Sequence, residues 1–140
     1  MIWTRKLSAS EIQKLCVGTL CEHLGMVFTE VGDDYLSATM PVDHRTCQPA
    51  GLLHGGASVA LAESLGSIAS VMCLPDEAHM PVGVEINANH LKAVTSGLVK
   101  GTVKPIKVGR SIHVWNIEIR DKADDLVCVS RLTVKIVKRR

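Results

Sequence analysis

Between Gly56 and Cys73, apolar residues occupy almost every side of a helical wheel: Val59, Ala60, Leu61, Ala62, Leu65, Ile68, Ala69, Val71 and Met72 leave no broad polar face. A helix that is greasy all round has to be surrounded. The residues to surround it come mostly later in the chain. Val82 to Leu91, Leu98 to Ile106, Ser111 to Arg120 and Leu126 to Val137 are rich in β-branched side chains, and turn-forming Thr95-Ser96-Gly97, Val108-Gly109-Arg110 and Ala123-Asp124-Asp125 separate them. Trp115, Ile117 and Ile119 alternate with Val114, Asn116, Glu118 and Arg120, the period of a sheet with one face on a core and the other partly wet. Ahead of the helix, Met26 to Val31 and Tyr35 to Val42 flank Gly32-Asp33-Asp34 as a hairpin. Ser8 and Glu11 have the capping-box spacing that opens a short helix running to about Cys16. Asp43 to Gly51, with Pro49 and Gly51, reads as a loop. The pattern predicts an α+β fold, one domain over residues 1–140, in which a curved antiparallel sheet wraps one long central helix. A single such layer leaves helix surface bare, so a partner copy is expected.

Composition narrows the function. Sixteen basic against fourteen acidic side chains give a net charge of +2, too balanced for a dedicated nucleic-acid binder. Trp3, Phe28, Tyr35 and Trp115 offer no stacking platform for bases. The five cysteines are scattered and form no Cys-x-x-Cys pair, so neither a disulfide framework nor a zinc ribbon is suggested, and reducing cytoplasm is the simplest setting. The first residues lack the apolar run of a signal peptide. The stretch from Ala57 to Leu74 holds Glu63 and four serines and falls short of a comfortable membrane span, which makes it a core helix. The six histidines show no metal-ligand spacing, and neither a metal nor a cofactor is expected.

The candidate chemistry sits on the greasy helix. Glu63 is its one carboxylate, and an ionised acid in apolar surroundings shifts its pKa, finds donors or is kept for chemistry. Gly55 and Gly56 are expected just ahead of the helix, where bare backbone lets a ligand approach amides that the first turn leaves unpaired. Such amides, with the helix dipole behind them, suit an oxyanion developing from a carbonyl. Ser67 lies one turn beyond Glu63, and Ser70 continues the polar stripe. Glu63 lies about 12 Å along the axis from Gly55, too far for both to act on one carbonyl within one helix. If the two cooperate, they belong to different subunits. The plainer readings stay open at this point. Glu63 has Arg45, Lys92 and Arg110 as structural salt-bridge partners, His54 suits a loop histidine bonded to backbone, and the glycine pair suits a tight turn. Gly-Leu-Leu-His-Gly-Gly lacks the Lys and Ser/Thr of a P-loop.

Taken together, Met40-Pro41-Val42-Asp43, Gln48-Pro49, Gly51 to Ser58, Leu61-Ala62-Glu63-Ser64, Asn87-Ala88-Asn89-His90 and Ser130-Arg131-Leu132-Thr133 resemble the hotdog-fold acyl-coenzyme A thioesterases that carry a glutamate on the helix. The likeness covers nearly the whole chain. It is greatest toward the branch holding dihydroxynaphthoyl-coenzyme A hydrolases and proofreading thioesterases that clear wrong aryl groups from a carrier protein. The resemblance implies that Glu63 is nucleophile or general base, that the Gly55 amide with Gln48 and His54 polarises the thioester carbonyl, and that Ser67 helps place water or substrate. It also implies that Gly83, His90, Lys92 and the Gly109-Arg110-Ser111 turn lie along the coenzyme A arm. The enzyme is then expected to be a homo-oligomer, a dimer of dimers, acting on coenzyme A or carrier-protein thioesters. Two rivals are a hotdog hydratase acting on an acyl double bond and an acyl-coenzyme A sensor that does not turn over.

Overall fold

The computed structural model describes residues 1–140. Its elements are α1 (Ala9–Leu15), α2 (Leu20–His23), β1 (Val27–Val31), β2 (Leu36–Pro41), α3 (Gly55–Met72), β3 (His79–His90), β4 (Leu98–Val108), β5 (Ile112–Arg120) and β6 (Leu126–Lys138). The Ser8 capping box opens α1 as expected, with Ser8 and Glu11 each satisfying the other's backbone amide. The short helix α2 has no counterpart in the sequence reading. It spans four residues, too few to show a period.

All six strands form one antiparallel sheet in the order β1-β2-β4-β5-β6-β3. This leaves β1 and β3 at the edges. Strand β3 begins at His79, earlier than the expected Val82, and takes in Pro81, a residue tolerated on an edge strand. The central strand β5 shows strict alternation, with His113, Trp115, Ile117 and Ile119 buried against α3.

Helix α3 crosses the concave face of the sheet and sets the packing. Leu61, Ala62, Leu65 and Ala69 are fully buried, and each large one contributes on the order of 1.5–3 kcal/mol by leaving water. Small residues let helix and sheet approach. A methyl group added at Gly66 would lie 2.5 Å from Leu132 Cδ2, and one at Gly101 on β4 would lie 2.7 Å from Leu65 Cδ1. By length and composition α3 could span a membrane, but half of it is enclosed by the fold, as a core helix would be. Its open face carries Ala60, Ser64, Ser67 and the 41 %-exposed Val71.

At the C-terminal end of α3 the expected polar stripe turns inward. Ser70 is buried; its hydroxyl accepts a 2.8 Å hydrogen bond from Trp115 Nε1 and lies 3.1 Å from His113 Nδ1. Trp115 also stacks on Trp3 at 6.5 Å between ring centroids, tying the N-terminus to the core. Burial pushes the His113 pKa down, and the Gly109 backbone opposes this only in part. Its cross-strand neighbours Val108 and Val134 are apolar, as is Trp115 beside it. A histidine harder to protonate when folded stabilises the fold fully above the free value of about 6.5 and loses that contribution as pH falls toward the folded value. The thermal unfolding midpoint is therefore expected to drop between pH 7.5 and pH 5, and His113→Gln is expected to flatten the drop. An unaltered slope in the variant would assign the pH sensitivity to other groups.

Candidate active site

The loop before α3 is held so that one backbone amide is left over. His54 caps the helix: its Nδ1 accepts a 2.7 Å hydrogen bond from the Gly56 amide, and its carbonyl takes the amides of Ala57 and Ser58. The first turn then has a single unused donor, the Gly55 amide. Gly55 and Gly56 are therefore the first two residues of α3 and do not precede it. The plain reading of His54 as a histidine bonded to backbone is also the observed one. Because Nδ1 accepts, the neutral ring carries its proton on Nε2, facing away from the cap.

Around the free amide stand Gln48 and His90. The Gln48 side-chain oxygen accepts from the Ala50 amide, which leaves its NH₂ end without a partner in the chain. The His90 ring lies against Gly55 so closely that a Cβ there would come within 2.8 Å of Nε2. Gln48, Leu53, Gly55, Ser58, His90 and Lys92 line a groove of about 380 Å³. A larger cavity, about 710 Å³, lies at the other end of α3 beside Val71, Met72 and His79 and contains none of the expected site residues.

Glu63 is eight residues further along α3. It is half-buried, and a Cβ at Gly83 on β3 would meet its Oε1 at 2.5 Å, so glycine is what gives the carboxylate its room. None of the three cations proposed as structural partners reaches it. Arg45 is bonded to Asp43 at 2.7 Å, and that hydrogen bonding holds the Asp43 pKa at about 2. Lys92 sits between Asp121 and Asp125 at 2.5 and 2.6 Å, and both bonds raise its pKa. Arg110 lies on the β4–β5 turn without an ion pair. Ser67, one turn beyond Glu63, is half-buried and makes no side-chain hydrogen bond within the chain.

The expected residues thus fall into three groups. Gln48, His54, Gly55, His90 and Lys92 gather at the N-terminal end of α3, and Glu63, Ser67 and Gly83 sit at its middle. Gly109, Arg110 and Ser111 lie beyond its C-terminal half, where Ile136 donates to the Ser111 carbonyl. One chain does not bring the groups together, since α3 is about 27 Å long. The contacts of Glu63 with Gly83 and of Gly55 with His90 escaped sequence reading because each joins residues distant in the chain.

A curved sheet wrapped on one helix, with a free amide and an unpaired acid on that helix, is the frame of a hotdog enzyme acting on a carbonyl. The thioesterase superfamily model matches residues 50–128, more than half of the chain. A 1,4-dihydroxy-2-naphthoyl-CoA hydrolase from Escherichia coli K12 is 49 % identical over 98 % of this chain and 100 % of its own length. The proofreading thioesterase EntH of Cronobacter sakazakii is also 49 % identical, over 98 % of this chain and 99 % of its own. The crystal structure of a Haemophilus influenzae thioesterase superposes with a TM-score of 0.95 at 48 % identity, covering 99 % of this chain and 96 % of that one. The chain belongs to the thioesterase superfamily, as a hotdog-fold thioester hydrolase.

Gly83 offers a test of the carboxylate's position that does not touch the carboxylate. In Gly83→Ala the new methyl meets the far end of a flexible side chain, so the fold yields cheaply and the Glu63 oxygens move. Thioester hydrolysis is expected to fall about tenfold or more while the unfolding midpoint shifts by no more than about 2 °C. Full activity in this variant would show that Glu63 does not need its present placement.

Proposed function

We propose that this enzyme hydrolyses aromatic acyl-coenzyme A thioesters, with 1,4-dihydroxy-2-naphthoyl-coenzyme A as the best-matched substrate, at sites shared by two subunits. The observation that carries the reading is the pairing of one unused amide, Gly55, with one unclamped acid, Glu63, on the same helix. The Gly55 amide and the Gln48 NH₂ donate to the thioester oxygen as negative charge builds on it; removing one such donor typically costs about 100- to 1000-fold. Glu63 either attacks the acyl carbon or takes a proton from the attacking water, and Ser67 helps hold that water. The C–S bond then breaks and the coenzyme A sulfur leaves as thiolate, to be protonated; where Glu63 has attacked, water then opens the resulting anhydride to free the acid and restore the carboxylate. His54 keeps the amide array in place through its cap. Gly83, His90, Lys92 and the Gly109-Arg110-Ser111 turn line the route of the coenzyme A arm, where unpaired Arg110 suits phosphate.

A homodimer fits the same distances. Strand β3 is a long edge with unpaired backbone groups, and its Met80, Val82 and Val84 are exposed, Val84 by 61 %. Such an edge invites a second strand. Two β3 strands paired antiparallel about an axis between Ile86 and Asn87 set Gly83 of one opposite His90 of the other. Glu63 lies on the first and Gly55 on the second, so this register supports one subunit's acid facing the other's amide. Two such dimers form the tetramer, and cytoplasm is the proposed location.

The same site serves an aryl group on a carrier protein, a reading supported by equal identity to the Cronobacter sakazakii proofreading enzyme. Release of thiol from a panel of coenzyme A and carrier-protein thioesters separates the two substrates. For the chemistry, Glu63→Gln is expected to lower hydrolysis of benzoyl-coenzyme A by about 100-fold or more. A rate within a few fold of wild type ends the assignment. Single turnover in ¹⁸O-water then tests the covalent role, because label enters the enzyme carboxylate only when an anhydride has formed and water has opened it at the glutamyl carbon.

A further inference from the structure

We propose that His113 is a positioning residue, linking α3 through Ser70 to the Gly109-Arg110-Ser111 turn so that Arg110 is presented to the phosphate-bearing arm of a coenzyme A thioester. The proposal rests on the reading that this turn lies along that arm. It starts from a polar cluster that the proposed chemistry leaves unused.

Ser70, His113 and Trp115 are all but sealed from solvent, at 0 %, 2 % and 0 % exposure. The direction of the hydrogen bonds can be worked out from donors alone. Trp115 Nε1 can only donate, so Ser70 Oγ accepts it at 2.8 Å. The single Ser70 proton is then free to bond His113 Nδ1 at 3.1 Å. That makes Nδ1 the acceptor and puts the ring proton on Nε2. In the β4–β5 pairing His113 stands opposite Val108, the residue that leads into Gly109. The Trp115 ring stands edge-on to it at 6.1 Å, which limits its rotation. The connection therefore runs from Trp115 to Ser70 on α3, to His113 on β5, and across the strand pair to Val108 at the entrance of the turn.

The turn itself has little slack. Gly109 donates to the Ile112 carbonyl at 2.9 Å, and a Cβ on Gly109 would stand 2.9 Å from that oxygen. The Ser111 carbonyl is bound by the Ile136 amide at 2.9 Å. Arg110 sits between these two anchors, exposed and without an ion pair. A planar guanidinium on a fixed turn is suited to phosphate oxygens. Buried polar groups are tolerated only when bonded, and an aliphatic residue at 113 would fill the space without bonding Ser70. The cluster also joins the turn to the helix that carries Glu63, two turns away from Ser70.

The test compares His113→Leu, His113→Gln, Ser70→Ala and Arg110→Ala. Benzoyl-coenzyme A is set against benzoyl-N-acetylcysteamine, which lacks the phosphates, and calorimetric titration gives the Kd of coenzyme A itself. His113→Leu and Arg110→Ala are each expected to raise KM for benzoyl-coenzyme A and the Kd of coenzyme A about tenfold, with kcat within about threefold; combined, they should do little more than either alone. KM for the truncated thioester is expected to stay at the wild-type value. His113→Gln keeps an acceptor and a donor and is expected to restore binding. Ser70→Ala cuts the link from the helix side and should show the same phosphate-dependent loss, which keeps the test available if His113→Leu does not fold. Equal effects on both thioesters, no effect on either, or independent multiplication of the His113 and Arg110 effects would overturn the proposal. If wild-type enzyme cleaves neither thioester, the substrate reading fails, and the coenzyme A titrations still decide the role of His113.

Discussion

Helix α3 is a rigid rod, and its rigidity constrains everything else. It holds Gly55 and Glu63 eight residues apart, about 12 Å along the axis, with no means of bending one toward the other. The sheet grips the rod through glycines: Gly66 within the helix and Gly101 on β4 permit close packing, and Gly83 on β3 makes room for the acid. The amide and the acid are thus fixed on the frame before any substrate arrives. Both face the same edge strand, β3, Gly55 against His90 and Glu63 against Gly83.

The fold treats the polar exceptions on this apolar helix in two ways. Ser70 is closed in and fully bonded, between Trp115 and His113. Glu63 is left half-open: Arg45 is bound by Asp43, Lys92 by Asp121 and Asp125, and Arg110 makes no ion pair with it. The first arrangement gives order to the core. The second leaves a carboxylate open, as the proposed chemistry requires. No side-chain polar atom is buried without a partner.

Much of the fold could be read from local pattern. The apolar wheel from Gly56 to Cys73, the alternation through Trp115, Ile117 and Ile119, and the spacing of Ser8 and Glu11 each report directly on α3, β5 and α1. Strand β3 starts three residues before the expected Val82; Pro81 is unsuited to the interior of a sheet and acceptable at its edge, a distinction that depends on strand order. The polar stripe through Glu63, Ser67 and Ser70 was only half right, since β5 captures the last serine. Periodicity gives the side of a helix and not what stands opposite it. The neighbours of Glu63 and Gly55 were hidden for the same reason: Gly83 and His90 lie twenty and thirty-five residues further along.

The claim at the centre of the account, an active site assembled from two subunits, is tested most directly by mixing inactive parents. Glu63→Gln removes the acid, and Gly55→Val covers the amide. Each should be inactive as a homodimer. Denatured together in equal amounts and refolded, they form heterodimers in about half of the population, each with one of its two sites intact, so about a quarter of wild-type hydrolysis should return. Recovery to that level is the predicted result. Activity that stays at the level of the parents, in a mixture shown to contain heterodimers, would mean that each chain carries its own complete site and would contradict the account.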